Sequence, residues 1–250
     1  MTKLNLPNLK NYTSTGLLDT SIVSISNLAS SFCITGSELK AFLVDKPADT
    51  MNVVAKFCEP ETSSNSCTKF TGGCVDFYGD LEIGKTFDMS NLKSLESVFG
   101  ELVINETSLT NFDAFESLKY IGQLDRRKEA IRIEGNKNLT NYLFPNLKKI
   151  YTNSLESIVF KNNNPLLITN PDPISCYRLR STVIQASPNI PDFDGESCED
   201  MKVVNGPETS TSTTVLNLTL HADSVGKLGN AIFDGWGFLG AFFIIMYMIL

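Results

Sequence analysis

The sequence predicts a mainly β chain whose short strands stack in repeats as a solenoid, with short helices between them and a hydrophobic segment at the C-terminal end. Three observations carry this. Alternating strands occur in the runs DLEIG, ELVIN, AIRIEG and SIVFKNN, and their leading residues Leu81, Leu102, Ile131 and Ile158 stand 21, 29 and 27 positions apart. Between them a second pattern, L-x-x-L-x-x-[VI], recurs as Leu92, Leu95, Val98, as Phe115, Leu118, Ile121 and as Phe144, Leu147, Ile150. Asparagine clusters, GNKNLTN and KNNNP, follow two of the strands. Asparagine tolerates left-handed backbone and bonds neighbouring backbone groups, so these clusters predict corners where Asn stacks on Asn. One repeat, holding a strand and a short turn or helix, cannot bury its apolar edge alone; a stack can.

Taken in order, residues 6–35 are mixed, with short apolar runs. Residues 36–70 hold an expected helix, SELKAFLVD, and a polar Cys-bearing connector. The strand repeats occupy 74–170, and a Pro/Asp/Cys-rich segment closes them at 171–200. Residues 205–224 are rich in Thr and Ser and predict a disordered stalk. The last sixteen residues, GWGFLGAFFIIMYMIL, carry no charge.

The length of 250 residues allows one or two domains, and 42% apolar with 20% charged residues supports a real core. A net charge of −7 argues against nucleic acid, which selects a basic face. The single histidine, His221, leaves little for metal or His-based proton transfer, and no cofactor is expected. Six cysteines, Cys33, Cys58, Cys67, Cys74, Cys176 and Cys198, suit a disulfide framework in an oxidising compartment. Zinc is disfavoured because no C-x-x-C pair exists. The sequons at Asn11, Asn105, Asn138 and Asn217 agree with secretion, and Asn65-Ser66-Cys67 is a weaker form.

The first residues, MTKLNLPNLK, hold no apolar run of a signal peptide. The expectation is that the signal peptide is missing from this sequence, because the other end reads as a membrane address. Residues 231–250 suit either a membrane-spanning helix or a glycosylphosphatidylinositol signal. Gly235–Leu250 is 16 residues, extension to Ala231 includes Asp234, and no basic cluster follows. Attachment at Ala222 or Ser224 would leave a polar spacer before the apolar tail.

Other candidate sites are read as structural. Asp192-x-Asp194-Gly195 begins like a calcium loop, but Val203 stands where the bidentate Glu belongs. Arg126-Arg127-Lys128 reads as a solvated loop, with a protease site or partner patch as alternatives. Tyr12, Tyr78, Tyr120, Tyr142 and Tyr151 could mark a binding face, but aromatics in a stack more often fill it. Glu82, Glu101, Arg132 and Glu134 alternate with core residues, and Glu82 with Glu101 could share an exposed face as carboxylates do in carbohydrate-active β-helix enzymes.

These residues resemble the receptor L domain of insulin-receptor and epidermal-growth-factor-receptor ectodomains. The resemblance runs from GCVDFYGDLEIG through LKSLESVFGELVINETSLTNF, FESLKYIG, AIRIEGNKNLTN, FPNLKKI and SIVFKNNNPLL. The motif L-x-x-L-x-x-V-x-G-x-L-x-I is matched by Leu92, Leu95, Val98, Gly100, Leu102 and Ile104, and the opening by Cys74, Val75, Gly79, Leu81 and Ile83. The short, Cys-flanked form is most similar to the nematode branch, which carries two such domains and a C-terminal anchor.

The resemblance implies a right-handed parallel β-helix or leucine-rich-repeat-like solenoid. It also implies the pairs Cys33–Cys58, Cys67–Cys74 and Cys176–Cys198. An internal echo extends it. Pro7 and Pro145 sit in LPNLK and FPNLK, offset by 138, Ser21-Ile22-Val23 echoes Ser157-Ile158-Val159, offset by 136, and Cys33-Ile34-Thr35 is set against Leu167-Ile168-Thr169, offset by 134.

The expected organisation is therefore the C-terminal part of a truncated first L domain at 1–57, a connector at 58–73 and a second L domain at 74–200. A stalk at 201–230 and a membrane anchor or its signal at 231–250 follow. The expected function is a non-catalytic extracellular binding protein at the cell membrane, without an intracellular signalling domain, engaging a protein or peptide ligand and no nucleic acid. A structural or adhesive surface glycoprotein is the alternative, and a carbohydrate-active enzyme a third.

Overall fold

The computed structural model describes residues 22–26, 29, 31–44, 50–60, 65–70, 72–169, 172–184 and 190–201. In chain order a first group holds β1 (Ile22–Ser26), β2 (Cys33–Ile34), α1 (Gly36–Ala41), β3 (Thr50–Val54) and β4 (Lys56–Phe57). Then come β5 (Ser66–Cys67), β6 (Asp76–Tyr78), β7 (Leu81–Ile83), β8 (Ser97–Phe99), β9 (Leu102–Asn105), β10 (Tyr120–Gln123), β11 (Ile131–Glu134), β12 (Lys149–Thr152) and β13 (Ile158–Lys161). Helices α2 (Leu166–Thr169) and α3 (Pro173–Arg180) and strand β14 (Asp192–Phe193) close the described chain.

The fold is mainly β, with parallel sheets and few short helices. One sheet has the order β12-β10-β8-β6-β5 and another the order β14-β13-β11-β9-β7. From β6 to β13 successive strands alternate between them. The alternating runs explain the second sheet. Leu81, Leu102, Ile131 and Ile158 stand in register, as do Ile83, Ile104, Ile133, Phe160 and Phe193, and all point into the core. Burying each such side chain stabilises the fold by about 1.5–3 kcal/mol.

The second pattern does more than expected. Its last residues, Val98, Ile121 and Ile150, lie in β8, β10 and β12 in mutual register, so each repeat carries two strands instead of one. Leu92, Leu95, Phe115 and Leu118 fill the core between the sheets, while Leu147 is only half-buried. Short 3-10 turns at Met89–Ser94 and Asp113–Phe115 precede β8 and β10.

The corners account for Gly in the G-x-L-x-I motif. Gly100 turns the chain from β8 to β9, and a Cβ there would overlap the carbonyl of Gly79 on the neighbouring corner. The opposite corners are tied by asparagine. Glu106, Gly135 and Asn162 take left-handed backbone at φ 50°, 70° and 53°, and the residue after each turns inward. Asn136 donates its side-chain amide to the carbonyls of Ile104 and Glu134, both at 2.9 Å. Asn163 donates to Ile133 at 2.8 Å. Thr107 completes the column, giving its backbone N–H (2.9 Å) and hydroxyl (2.6 Å) to Asn136 Oδ1.

The first group builds two separate two-stranded parallel sheets, β1–β3 and β2–β4. The expected helix is realised as α1, with a capping box. Thr35 Oγ1 accepts the Glu38 N–H (3.2 Å), and the Glu38 carboxylate accepts the Thr35 N–H (2.8 Å). It ends at Ala41, where Phe42 and Leu43 turn into a core shared with Phe99, Tyr120 and Tyr151. One step of the internal echo is not matched in local structure: Cys33–Ile34 is strand β2, while Leu167–Thr169 lies in helix α2.

Candidate functional site

The two sheets differ in what covers their outer faces. The first presents Tyr78, Phe99, Gly122 and Tyr151 in one register row, with Tyr120 in the next. Residues 32–44 and 50–57 seal this row. Phe32, Ile34, Leu39, Phe42, Leu43, Met51 and Val53 form one buried cluster with Phe99, Tyr120 and Tyr151. Leu39 lies over Gly122, where any Cβ would meet its Cδ2 at 2.5 Å.

Polar bonds close the contact. Val53 N–H donates to the Tyr151 hydroxyl (2.7 Å), which donates to Asn153 Oδ1 (2.7 Å). The Asn153 amide in turn reaches the Val53 carbonyl at 2.8 Å. Lys40 bridges Asp76 (3.0 Å) and Glu96 (3.6 Å) across the rim.

The outer face of the second sheet is partly accessible. One register row reads Glu82, Val103, Arg132, Val159 and Asp192, and the next Asn105, Glu134 and Lys161. Glu82 and Lys161 are exposed, Val159 is buried and the others are half-buried. Mixed charge around a small apolar centre suits a peptide or protein surface better than a small-molecule cavity.

Glu101 anchors one margin of this face. Its side chain is 5% exposed, and its carboxylate accepts from Arg132 Nε at 2.9 Å. Glu129 stands 3.4 Å from the same guanidinium. Burial pushes the Glu101 carboxyl above the usual carboxylate range, against the pull of Arg132. Asp80 accepts the Glu101 backbone N–H at 3.0 Å and pairs with Lys128.

This corrects the expectation of two carboxylates on one exposed face. Glu101 precedes β9 at the Gly100 corner, is buried and is committed to Arg132, while Glu82 faces solvent. The chain therefore does not bring them together as an acid/base pair. Of the basic run, Arg127 is held by Asp125 and Lys128 by Asp80. The Arg127 side chain is 88% exposed and keeps the Asp125 carboxyl down at about 2. Arg126 and Arg127 border an open cleft of about 730 Å³ with Met51, Glu129 and Leu155.

Tyr120, Tyr142 and Tyr151 fill cores and do not mark a binding face. The acidic loop uses its carboxylates as turn caps: Asp192 accepts the Gly195 N–H (2.6 Å) and Asp194 the Asn162 N–H (2.8 Å). Among the described residues no cluster of His, Cys, Asp and Glu could hold a metal ion.

Disulfides join Cys33 to Cys58, Cys67 to Cys74 and Cys176 to Cys198, the pairs the resemblance implies. Asn105 lies at the end of β9 on the open face, and Asn138 is exposed on the corner after β11. Asn11, Asn217, Ala222, Ser224, His221, Tyr12 and the apolar C-terminal run lie outside the described residues. Among the described residues no helix is long and apolar enough to cross a membrane.

Sequence reasoning missed the Glu101–Arg132–Glu129 cluster. It also missed the outward Leu155 and Ile174, 83% and 80% exposed. Stacking the ELVIN and AIRIEG runs sets Arg132 beside Val103, so the spacing alone does not pair it with Glu101, 31 residues away.

Residues 73–172 match the family model described as receptor L domain. No curated protein matches the chain, and no solved structure does.

Proposed function

Because residues 73–172 belong to the receptor L-domain family, we propose that this is a non-catalytic extracellular binding protein, held at the cell surface, whose open sheet face takes a secreted protein or peptide. The observation that carries this is the asymmetry of the two sheets. Residues 32–44 and 50–57 seal the aromatic row of one, while on the other the row through Glu82, Val103, Arg132 and Asp192 is exposed or half-buried around a buried Val159.

In this reading the repeats are a right-handed solenoid, spanning 74–200 as a second L domain after a connector at 58–73. Residues 1–57 are the C-terminal part of a first one. The alternation of strands between two parallel sheets in β1–β4 supports that view, as does the disulfide beside it. The nematode-type plan, two L domains and a C-terminal anchor, fits it. The stalk at 201–230 and the hydrophobic segment at 231–250 then hold the chain at the membrane, through a lipid at Ala222 or Ser224 or through a spanning helix. Disulfides support the oxidising side.

The test is display on cells behind a supplied leader peptide, with labelled secreted-peptide fractions as probes. Saturable binding that is lost in Val103→Glu and Arg132→Glu is expected. Binding indifferent to both variants would favour the adhesive reading, for which the exposed Leu166, Ile174 and Tyr177 would be the contact surface. Release by phosphatidylinositol-specific phospholipase distinguishes the lipid anchor from the helix.

A further inference from the structure

We propose that one groove at the C-terminal ends of β9 and β11 carries two N-linked oligosaccharides, on Asn105 and Asn138, and that they screen the Asn105–Glu134–Lys161 row, leaving the Arg132 end of the face to a partner. This rests on the extracellular reading above.

The sequons are far apart in the chain but meet in space. Asn105 and Asn138 line a single groove of about 630 Å³ with Glu134, Lys137 and Asn162. Their side chains differ from those of neighbouring asparagines. Asn136 and Asn163 commit their amides to the carbonyls of Ile104, Glu134 and Ile133. No hydrogen bond to a described residue holds the carboxamide of Asn105 or Asn138. Both are available as nucleophile-bearing groups, and register places Asn105 beside Glu134 and Lys161 on the open face.

The rest of the first sequon is locked, and that of the second in part. Thr107 is buried with its hydroxyl on Asn136 Oδ1 (2.6 Å), and Glu106 sits in left-handed backbone at φ 50°. Leu139 is fully buried, and the Thr140 hydroxyl bonds the Thr110 carbonyl at 3.2 Å. A transferase cannot engage the buried Thr107 in the folded chain, so the sugar on Asn105 is added before its corner closes, whereas Thr140 stays exposed. In that step Asn Nδ2 attacks the anomeric carbon of a lipid-diphosphate oligosaccharide. The C–N bond forms and the C–O bond to phosphate breaks. The lipid diphosphate departs, and the amide proton passes to a base of the transferase. Folding then buries Thr107 and Leu139 and leaves the two modified side chains at the groove.

The experiment uses the full chain displayed on eukaryotic cells behind a supplied leader, with and without peptide N-glycosidase. The enzyme converts each carrier Asn to Asp, which peptide mass reads directly. Occupancy of both sites is expected. Removing the sugars is also expected to raise acylation of Lys137 and Lys161 by a bulky amine reagent about fivefold, with the exposed Lys148, just before β12, unchanged. An empty Asn105 or Asn138 in a surface-displayed, disulfide-bonded product overturns the proposal and leaves the extracellular reading standing. Occupied sites with unchanged lysine labelling overturn the screening. A product retained in cells with free thiols overturns the extracellular reading instead.

Discussion

Asn163 accepts the backbone N–H of Asn136 through its Oδ1 at 3.0 Å, one repeat away. Each of these residues satisfies the corner of its neighbour, so the column couples three repeats through buried groups. Replacing Asn136 by Ala strands the Thr107 N–H and hydroxyl and the Ile104 carbonyl, all away from water. Orphaned buried groups cost about 1–3 kcal/mol each in the unfavourable cases, so a loss of about 3 kcal/mol is expected. Asn138→Ala, exposed two residues on, should stay within about 0.5 kcal/mol of the parent. Urea unfolding followed by fluorescence, on protein made without glycosylation, makes the comparison. Equal midpoints for the two variants would show the ladder to be dispensable.

The contact of Leu39 with Gly122 admits a cycle. Gly122→Ala places a methyl group in the space of Leu39 Cδ2, and overpacking of this kind costs about 1–3 kcal/mol. Leu39→Ala removes a fully buried side chain, with a cost of about 2–5 kcal/mol. Combined, the two should cost less than the sum of their separate effects, because the second relieves the clash of the first. Hydrogen exchange should report faster exchange in α1 and β3 for Gly122→Ala, with β9, β11 and β13 unaffected. Additive losses would mean that this helix does not bear on the sheet in solution.

Arg180 grips Glu199 with both terminal nitrogens at 2.6 Å, beside the Cys176–Cys198 bond. The guanidinium holds the Glu199 carboxyl down at about 2. A folded value below the ordinary one means stability that is present above the ordinary value of about 4.3 and lost as pH falls toward the folded value. Glu199→Gln should therefore be less stable than the parent at neutral pH. The two should converge as acid titrates the parent through that window. Thermal midpoints across pH read this directly, and a gap that persists unchanged into strong acid would assign the effect to shape instead of charge.

How much of this was legible depended on range. Leu81, Ile83, Leu102 and Ile104 announced their strands because one face is core and the other is water, which is what alternation encodes. Val98 and Phe99 did not, since β8 is covered on both faces and reads as an unbroken buried run. The Thr35…Glu38 capping box was present as a local signature and was passed over, although the helix after it was expected. Its early end at Ala41 was beyond local reading, because Phe42 and Leu43 answer to a core made with residues far along the chain. For the candidate face, spacing alone treated Glu101 as a solvent-facing strand position. The Gly100 corner sets it before the strand, and only contact with Arg132 and Glu129 shows its charge to be enclosed.

Gly84 and Gly100 flank strands of neighbouring repeats, and the same substitution should separate them. At Gly100 an added Cβ would meet the carbonyl carbon and oxygen of Gly79, which are backbone atoms with no rotamer to yield. At Gly84 it would meet nothing within 4 Å. Gly84→Ala is expected to be neutral or to stabilise by about 0.5 kcal/mol through the unfolded chain. Gly100→Ala must move a corner that Glu101 and Asp80 depend on, and about 3 kcal/mol or more is expected where strain and lost contacts combine. Denaturant midpoints with unchanged slopes check both. If Gly100→Ala proved as mild as Gly84→Ala, the close stacking of corners would not be the reason for glycine in the motif, and the register of β7 on β9 would have to tolerate a wider spacing.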